Sequence, residues 1–133
     1  MKNITKKERE YLIKKAIEAS KNAQPHLSHY NVGAAILSKD GGIYTGCNIE
    51  FDNYSNTIHA EEGAISCFFN NGGLKPVAIA VYTNSSPPFF PCGMCRQSLF
   101  EFGGPEMIVI ACNEEEHEEM LMKDLLPKGF SLH

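Results

Sequence analysis

His59-Ala60-Glu61 and Pro91-Cys92-Gly93-Met94-Cys95 are the two stretches on which the reading of this chain turns. They supply one imidazole and two thiolates, with a carboxylate two residues beyond the imidazole. Three protein ligands on a tetrahedral zinc leave a fourth position open, and an open position can hold an activated water. A lone C-x-x-C would carry little weight, and His59 by itself would read as an ordinary histidine. Together they carry far more. A closed structural zinc site would need a fourth ligand, and no second C-x-x-C or H-x3-H string supplies one. Both strings fall where helices are expected to begin, one from Asn56 or Thr57 through Phe69 and one from Cys92 to about Phe102. A helix N-terminus favours a thiolate through its dipole. Cys92 and Cys95, three apart on a first turn, can grip one ion from the same face. His59 and Glu61, two apart, point different ways on a regular helix, so the Glu61 carboxylate is left to the ion's water as a proton shuttle.

The flanking sequence supplies the rest of the architecture. Thr5-Lys6-Lys7-Glu8 is a capping box, and Leu12, Ile13, Ala16, Ile17 and Ala23 share one face of a helix to about Asn22. Val32 to Leu37 and Ile43 to Cys47 read as strands of a hairpin around Lys39-Asp40-Gly41-Gly42. Asn48 to Asn56 is polar, turn-rich and aromatic, and reads as an exposed loop. Val77 to Thr83 and Met107 to Cys112 are apolar, β-branched runs that predict buried strands. Asn84 to Pro91 is a proline-rich loop that delivers Cys92. Glu114 to Leu126, acidic at its start and followed by Pro127, reads as a final helix. With no repeat and no linker, the expectation is a single α/β domain over residues 1–133, with helices covering a mixed sheet.

Composition narrows the function. At 133 residues with 43% hydrophobic and 21% charged residues, the chain is long enough for a real core and reads as a soluble globular protein. No apolar run reaches the length of a membrane span. Met1 to Glu10 is polar and lysine-rich without an apolar region behind it, so no secretory signal is expected and the cytoplasm is the expected compartment. Five cysteines, an odd set, argue against a disulfide framework. Cys47, Cys67 and Cys112 read as small core hydrophobes. A formal charge of −4 argues against a nucleic-acid polymer as partner. The pairs Lys6-Lys7 and Lys14-Lys15 read as a solvated helix face. His26, His29, His117 and His133 lack ligand spacing and read as surface residues, with His29 close to the pocket lip.

H-x-E followed by P-C-x-x-C is the residue order of zinc-dependent nucleobase deaminases. Further strings extend the likeness: Ser28-His29-Tyr30-Asn31-Val32-Gly33-Ala34-Ala35, Gly46-Cys47-Asn48-Ile49-Glu50, Pro91 to Gln97 with Glu101-Phe102, and Leu125-Leu126-Pro127-Lys128-Gly129-Phe130. From about Ala16 to Phe130 the chain resembles the short, single-domain cytidine deaminases. The resemblance implies a three-layer fold with a mixed sheet of about five strands covered by helices. It implies zinc held by His59, Cys92 and Cys95, with Glu61 catalytic. It also implies a substrate site that includes Tyr30, Asn48, Glu50 and Ala60, with Asn48 and Glu50 holding the sugar hydroxyls. Tyr54 and Phe130 match residues that reach a neighbouring subunit's site in the family's homotetramers. Ordinary core or interface packing is the alternative for Tyr30 and Phe130.

Three departures stand out. His59 and Glu62 replace a Cys and an Arg of many short members, and the two changes agree. One imidazole and two thiolates leave a zinc site neutral, so no compensating Arg is needed. Phe51 stands where the sugar-binding string ordinarily ends in Asn, which removes hydrogen-bonding support near Glu50. The activity implied is hydrolytic deamination of cytidine or 2′-deoxycytidine, a small nucleoside, in pyrimidine salvage. The alternatives are a deaminase of a modified or antibiotic nucleoside such as blasticidin S, a polynucleotide deaminase, and a zinc-stabilised module without activity. A polynucleotide enzyme would need a basic track and aromatic platforms. A structural module has no use for Glu61.

Overall fold

The computed structural model of the protein describes residues 4–132. Met1, Lys2 and Asn3 of the polar start, and His133, lie outside the described residues. Helix α1 (Lys6–Ser20) starts at the capping box: Thr5 Oγ1 accepts from the Glu8 N–H at 3.0 Å, and Glu8 Oε1 accepts from the Thr5 N–H at 2.9 Å. Strands β1 (Val32–Ser38) and β2 (Ile43–Cys47) form the expected hairpin, turned at Gly41, whose φ of 97° suits glycine. After a 3-10 turn at Tyr54–Asn56 come α2 (Ala60–Asn70), β3 (Pro76–Thr83), α3 (Gly93–Gly103), β4 (Ile108–Cys112), β5 (His117–Leu121) and a short α4 (Met122–Leu125).

The strands form one five-stranded sheet in the order β2-β1-β3-β4-β5. It is mixed: β3 and β4 are parallel and joined through α3, while the other neighbours are antiparallel. The central strands are apolar at nearly every position, with Ser38 and Thr83 at their ends, because both of their faces are covered. Ala34, Ile36, Ile79, Val81 and Val109 pack towards Ala60, Ala64 and Phe68 of α2, Leu99 of α3, and Met122 and Leu125 of α4. The alternate residues Ala35, Leu37, Ala78, Ala80, Tyr82, Ile108, Ile110 and Cys112 pack with Leu12 and Ala16 of α1. The result is three layers, with α1 on one face of the sheet and α2, α3 and α4 on the other.

Two expectations from the sequence are corrected. The stretch Glu114 to Leu126 is not one helix, since its middle is the edge strand β5, antiparallel to β4 in a register that includes Val109 with Met120. Asn113 makes the connecting turn: its Oδ1 accepts from the N–H groups of Glu115 and Glu116, both at 2.8 Å. The run Glu114 to Glu119 offers no apolar stripe for a helix, and its charges suit an exposed sheet edge. Arg9 of α1 pairs with Glu119 at 2.5 Å. The second helix begins at Ala60 rather than at Asn56 or Thr57. Ile49 and Ile58 exchange N–H···O bonds of 2.9 Å, which hold Ile58 extended until His59.

Close approach of α2 to the sheet positions the site. A Cβ on Gly46 of β2 would collide with backbone atoms of Ala60, Gly63 and Ala64. Gly46→Ala must therefore push α2 outward along its first turn. We expect a loss of about 3 kcal/mol, the upper end of overpacking costs, read as a lower midpoint in urea with an unchanged slope.

Candidate active site

His59 and Cys92 occupy equivalent positions, as the N-caps of α2 and α3. Both backbones are extended (φ −77°, ψ 150° and φ −67°, ψ 171°), and neither side chain caps its own helix. The two side chains are therefore free to meet. His59 Nδ1 lies 3.5 Å from Cys92 Sγ and 3.4 Å from Cys95 Sγ. The ligand atoms of the three residues all fall within 4.8 Å of one another. A tetrahedral zinc with one nitrogen and two sulfur ligands sets N···S separations of about 3.5 Å, so the donor set fits that ion in type and spacing.

Electrostatics favour a cation there. Burial pushes the Cys95 thiol well above the ordinary cysteine range, and the charges of Glu61 and Cys92 push it further. A thiolate at this position needs a positive partner, which a bound metal supplies. Glu62, with Oε1 buried and without a hydrogen-bond partner, adds negative charge beside Cys95.

A cavity of about 280 Å³ opens next to this cluster. Its wall includes His59, Ala60, Glu61 and Cys92 together with Ser28, Tyr30, Asn48 and Glu50. Glu61 is 5% exposed and lies outside the three-ligand cluster. Burial raises its carboxyl above the ordinary range, against its own N–H and the nearby His59. A carboxyl held closer to neutrality is suited to exchanging protons.

Glu50 is held very differently. Its Oε1 accepts from the N–H groups of Leu27 at 2.9 Å and Ser28 at 2.8 Å, and its Oε2 accepts from Ser28 Oγ at 2.6 Å. Burial opposes ionisation, but the Ser28 hydroxyl, these N–H groups and the Asn48 amide outweigh it and bring the carboxyl below the ordinary range. Asn48 is committed to the backbone: its Oδ1 accepts from the Val32 N–H at 2.9 Å, and its Nδ2 donates to the Tyr30 carbonyl at 2.8 Å.

Of the residues singled out in the sequence, the cavity gathers Tyr30, Asn48, Glu50, His59, Ala60, Glu61 and Cys92. Cys95 lies behind it, buried. Tyr54 and Phe130 do not line it and are 75% and 63% exposed. The reading of the sequence missed Phe89 and Phe90, which line the cavity, Phe89 with its ring edge-on to Tyr30 at 5.5 Å. Their signal was present as an aromatic pair inside a polar loop, directly before Pro91. Cys112 is buried as expected, whereas Cys47 and Cys67 are only half-buried.

The model of the cytidine and deoxycytidylate deaminase zinc-binding region matches residues 6–112. The chain is 38% identical over 125 residues to a cytidine deaminase of Halalkalibacterium halodurans, covering 93% of this chain and 95% of that one. The chain belongs to the cytidine deaminase family. A second relative of that family, from Sporosarcina psychrophila, is 40% identical over 92% of this chain and 90% of its own length. The crystal structure of cytidine deaminase from Burkholderia pseudomallei superposes with a TM-score of 0.87 at 33% identity, covering 96% of this chain and all of that one. Zinc is the metal of the family's site, and His59, Cys92 and Cys95 form a group able to hold it.

Cys92→Ala and Cys95→Ala are each expected to lower bound zinc from about one ion per chain to background, measured by atomic emission. Undiminished zinc in both variants would show that the ion sits elsewhere. Removal of zinc by a chelator should lower the melting temperature, because the ion ties two helix N-termini together.

Proposed function

We propose that the protein deaminates cytidine, 2′-deoxycytidine or both by zinc-dependent hydrolysis, giving uridine or 2′-deoxyuridine and ammonia for pyrimidine salvage. The observation that carries this reading is a buried carboxylate, Glu61, lining one cavity with His59, Cys92 and the second carboxylate Glu50. His59, Cys92 and Cys95 would hold the zinc, whose chemistry when bound would be to lower the pKa of a water and so provide the nucleophile. Every proton then passes through Glu61. Its carboxylate takes one proton from water and delivers it to N3 of the ring as C4 is attacked, then takes the proton of the new C4 hydroxyl and passes it to the departing amine, leaving the C4 carbonyl and ammonia. Tyr30, Phe89 and Phe90 give the pyrimidine an aromatic slot that excludes water, and Ala60 adds a small apolar residue to the same lining. Glu50 and Asn48 take the sugar hydroxyls, Glu50 as an ionised acceptor.

A cavity this open in a single chain is completed by other copies, and we infer a homotetramer with shared sites. Leu27, Phe51, Ile58 and Met94, each within two residues of a cavity residue, remain exposed, as do Tyr54 and Phe130. A reducing compartment, the cytoplasm, suits five cysteines that are all free thiols. No described helix is long and apolar enough to cross a membrane.

Glu61→Gln keeps size and zinc but cannot exchange protons, so kcat should fall by ~10²–10⁴-fold with cytidine as substrate. Retention of more than about a tenth of wild-type kcat, far short of that range, would remove Glu61 from the mechanism. Light scattering should report four copies at assay concentration, with Tyr54→Ala and Phe130→Ala each impairing activity. A fully active monomer would overturn the shared site.

A further inference from the structure

Ser28 has no part in the chemistry described above, yet it touches Glu50 twice. Its hydroxyl donates to Glu50 Oε2 at 2.6 Å, and its backbone N–H donates to Oε1 at 2.8 Å. The same hydroxyl accepts from the Tyr30 N–H at 3.2 Å, so one side chain links the carboxylate to the aromatic slot. The backbone is bent to allow this. His29, between the two, has a φ of 65°, and its N–H closes a tight turn on the Pro25 carbonyl at 2.8 Å. A left-handed residue that is not glycine costs energy and persists only where its surroundings hold it.

A count of acceptor directions on Glu50 shows what the arrangement does. An ionised carboxylate offers about four lone-pair directions. On Oε1 both are filled, by the N–H groups of Leu27 and Ser28. On Oε2 one is filled by the short Ser28 bond, and the other meets only the Asn48 amide at a long 3.4 Å. That is the one direction a ligand hydroxyl can take without breaking a good bond. Asn48 does not define that direction in its place, because one lone pair of its Oδ1 and one Nδ2 proton already bond the backbone at Val32 and Tyr30, leaving it a secondary contact beside Glu50.

We propose that Ser28 is a positioning residue for the sugar: its hydroxyl fixes the Glu50 carboxylate so that a single Oε2 direction stays open to a sugar hydroxyl. This rests on the nucleoside-deaminase reading above. Without the Ser28 bond the carboxylate can rotate about its backbone-held Oε1, and the open direction is no longer defined.

The test compares cytidine with 2′,3′-dideoxycytidine, which lacks both ring hydroxyls, in the wild-type protein and in Ser28→Ala and Ser28→Thr. Wild type should prefer cytidine. Ser28→Ala should lower kcat/KM for cytidine by about tenfold, the low end for a hydrogen bond to a charged group, with most of the change in KM. The preference over the dideoxy analogue should shrink by the same factor, and Ser28→Thr, which keeps the hydroxyl, should restore it. A purely structural role would lower both substrates together and leave the preference intact, and that result overturns the proposal. So does a Ser28→Thr protein that folds but has lost the preference, which also decides the matter if Ser28→Ala fails to fold. Wild-type protein that turns over neither nucleoside would instead sink the deaminase reading itself, and the proposal with it.

Discussion

The contact of His59 Nδ1 with the Cys92 and Cys95 sulfurs joins the N-termini of two helices that approach the same end of the sheet from different strands. Everything else in the site is arranged around that meeting. Helix α2 is carried to it by the backbone-to-backbone approach at Gly46, and α3 by the crossover between the parallel strands β3 and β4. Both helices aim the positive ends of their dipoles at the cluster, which suits two thiolates. Burial of Cys95 makes an uncompensated thiolate too costly, so the folded geometry and the demand for a cation are one constraint.

Two carboxylates of the same residue type are driven apart by their surroundings. Glu61 is buried at the start of α2, and burial moves it towards neutrality. Glu50 lies on a loop where the Ser28 hydroxyl and two N–H groups outweigh its burial and hold it ionised. Environments that separate the protonation of like groups commonly separate their roles. On the proposed reading the two become a proton carrier at the base and a fixed acceptor at the sugar. The acceptor also organises its own wall, since Glu50 and Asn48 between them bond the chain at Leu27, Ser28, Tyr30 and Val32.

Much of this architecture was legible in local pattern. The Thr5–Glu8 capping box, the hairpin around Gly41 and the apolar central strands all formed where period and turn chemistry put them. Helix α2 began later than its pattern suggested, because a bridge between Ile49 and Ile58 kept the preceding residues extended. The largest misreading was β5. An acidic run before a short apolar stretch resembles a helix start, and only the pairing with β4 and the Asn113 turn make it a strand. Edge strands carry weak signals of their own, since one side of their hydrogen bonding is left to solvent.

By itself the sequence determined the donor set and its chemistry. One imidazole, two thiolates three residues apart and a carboxylate that cannot face the same way as the imidazole follow from residue type and helical period. The tertiary structure decided which groups those donors would meet. His59 and the cysteines are 33 and 36 residues apart, and Ser28 and Glu50 are 22 apart. No local period spans such separations. The acceptor directions left open on Glu50, the aromatic slot of Tyr30 with Phe89, and the burial of Glu61 all depend on how layers pack. Packing is a property of the whole sheet and its helices, and no single stretch of chain encodes it.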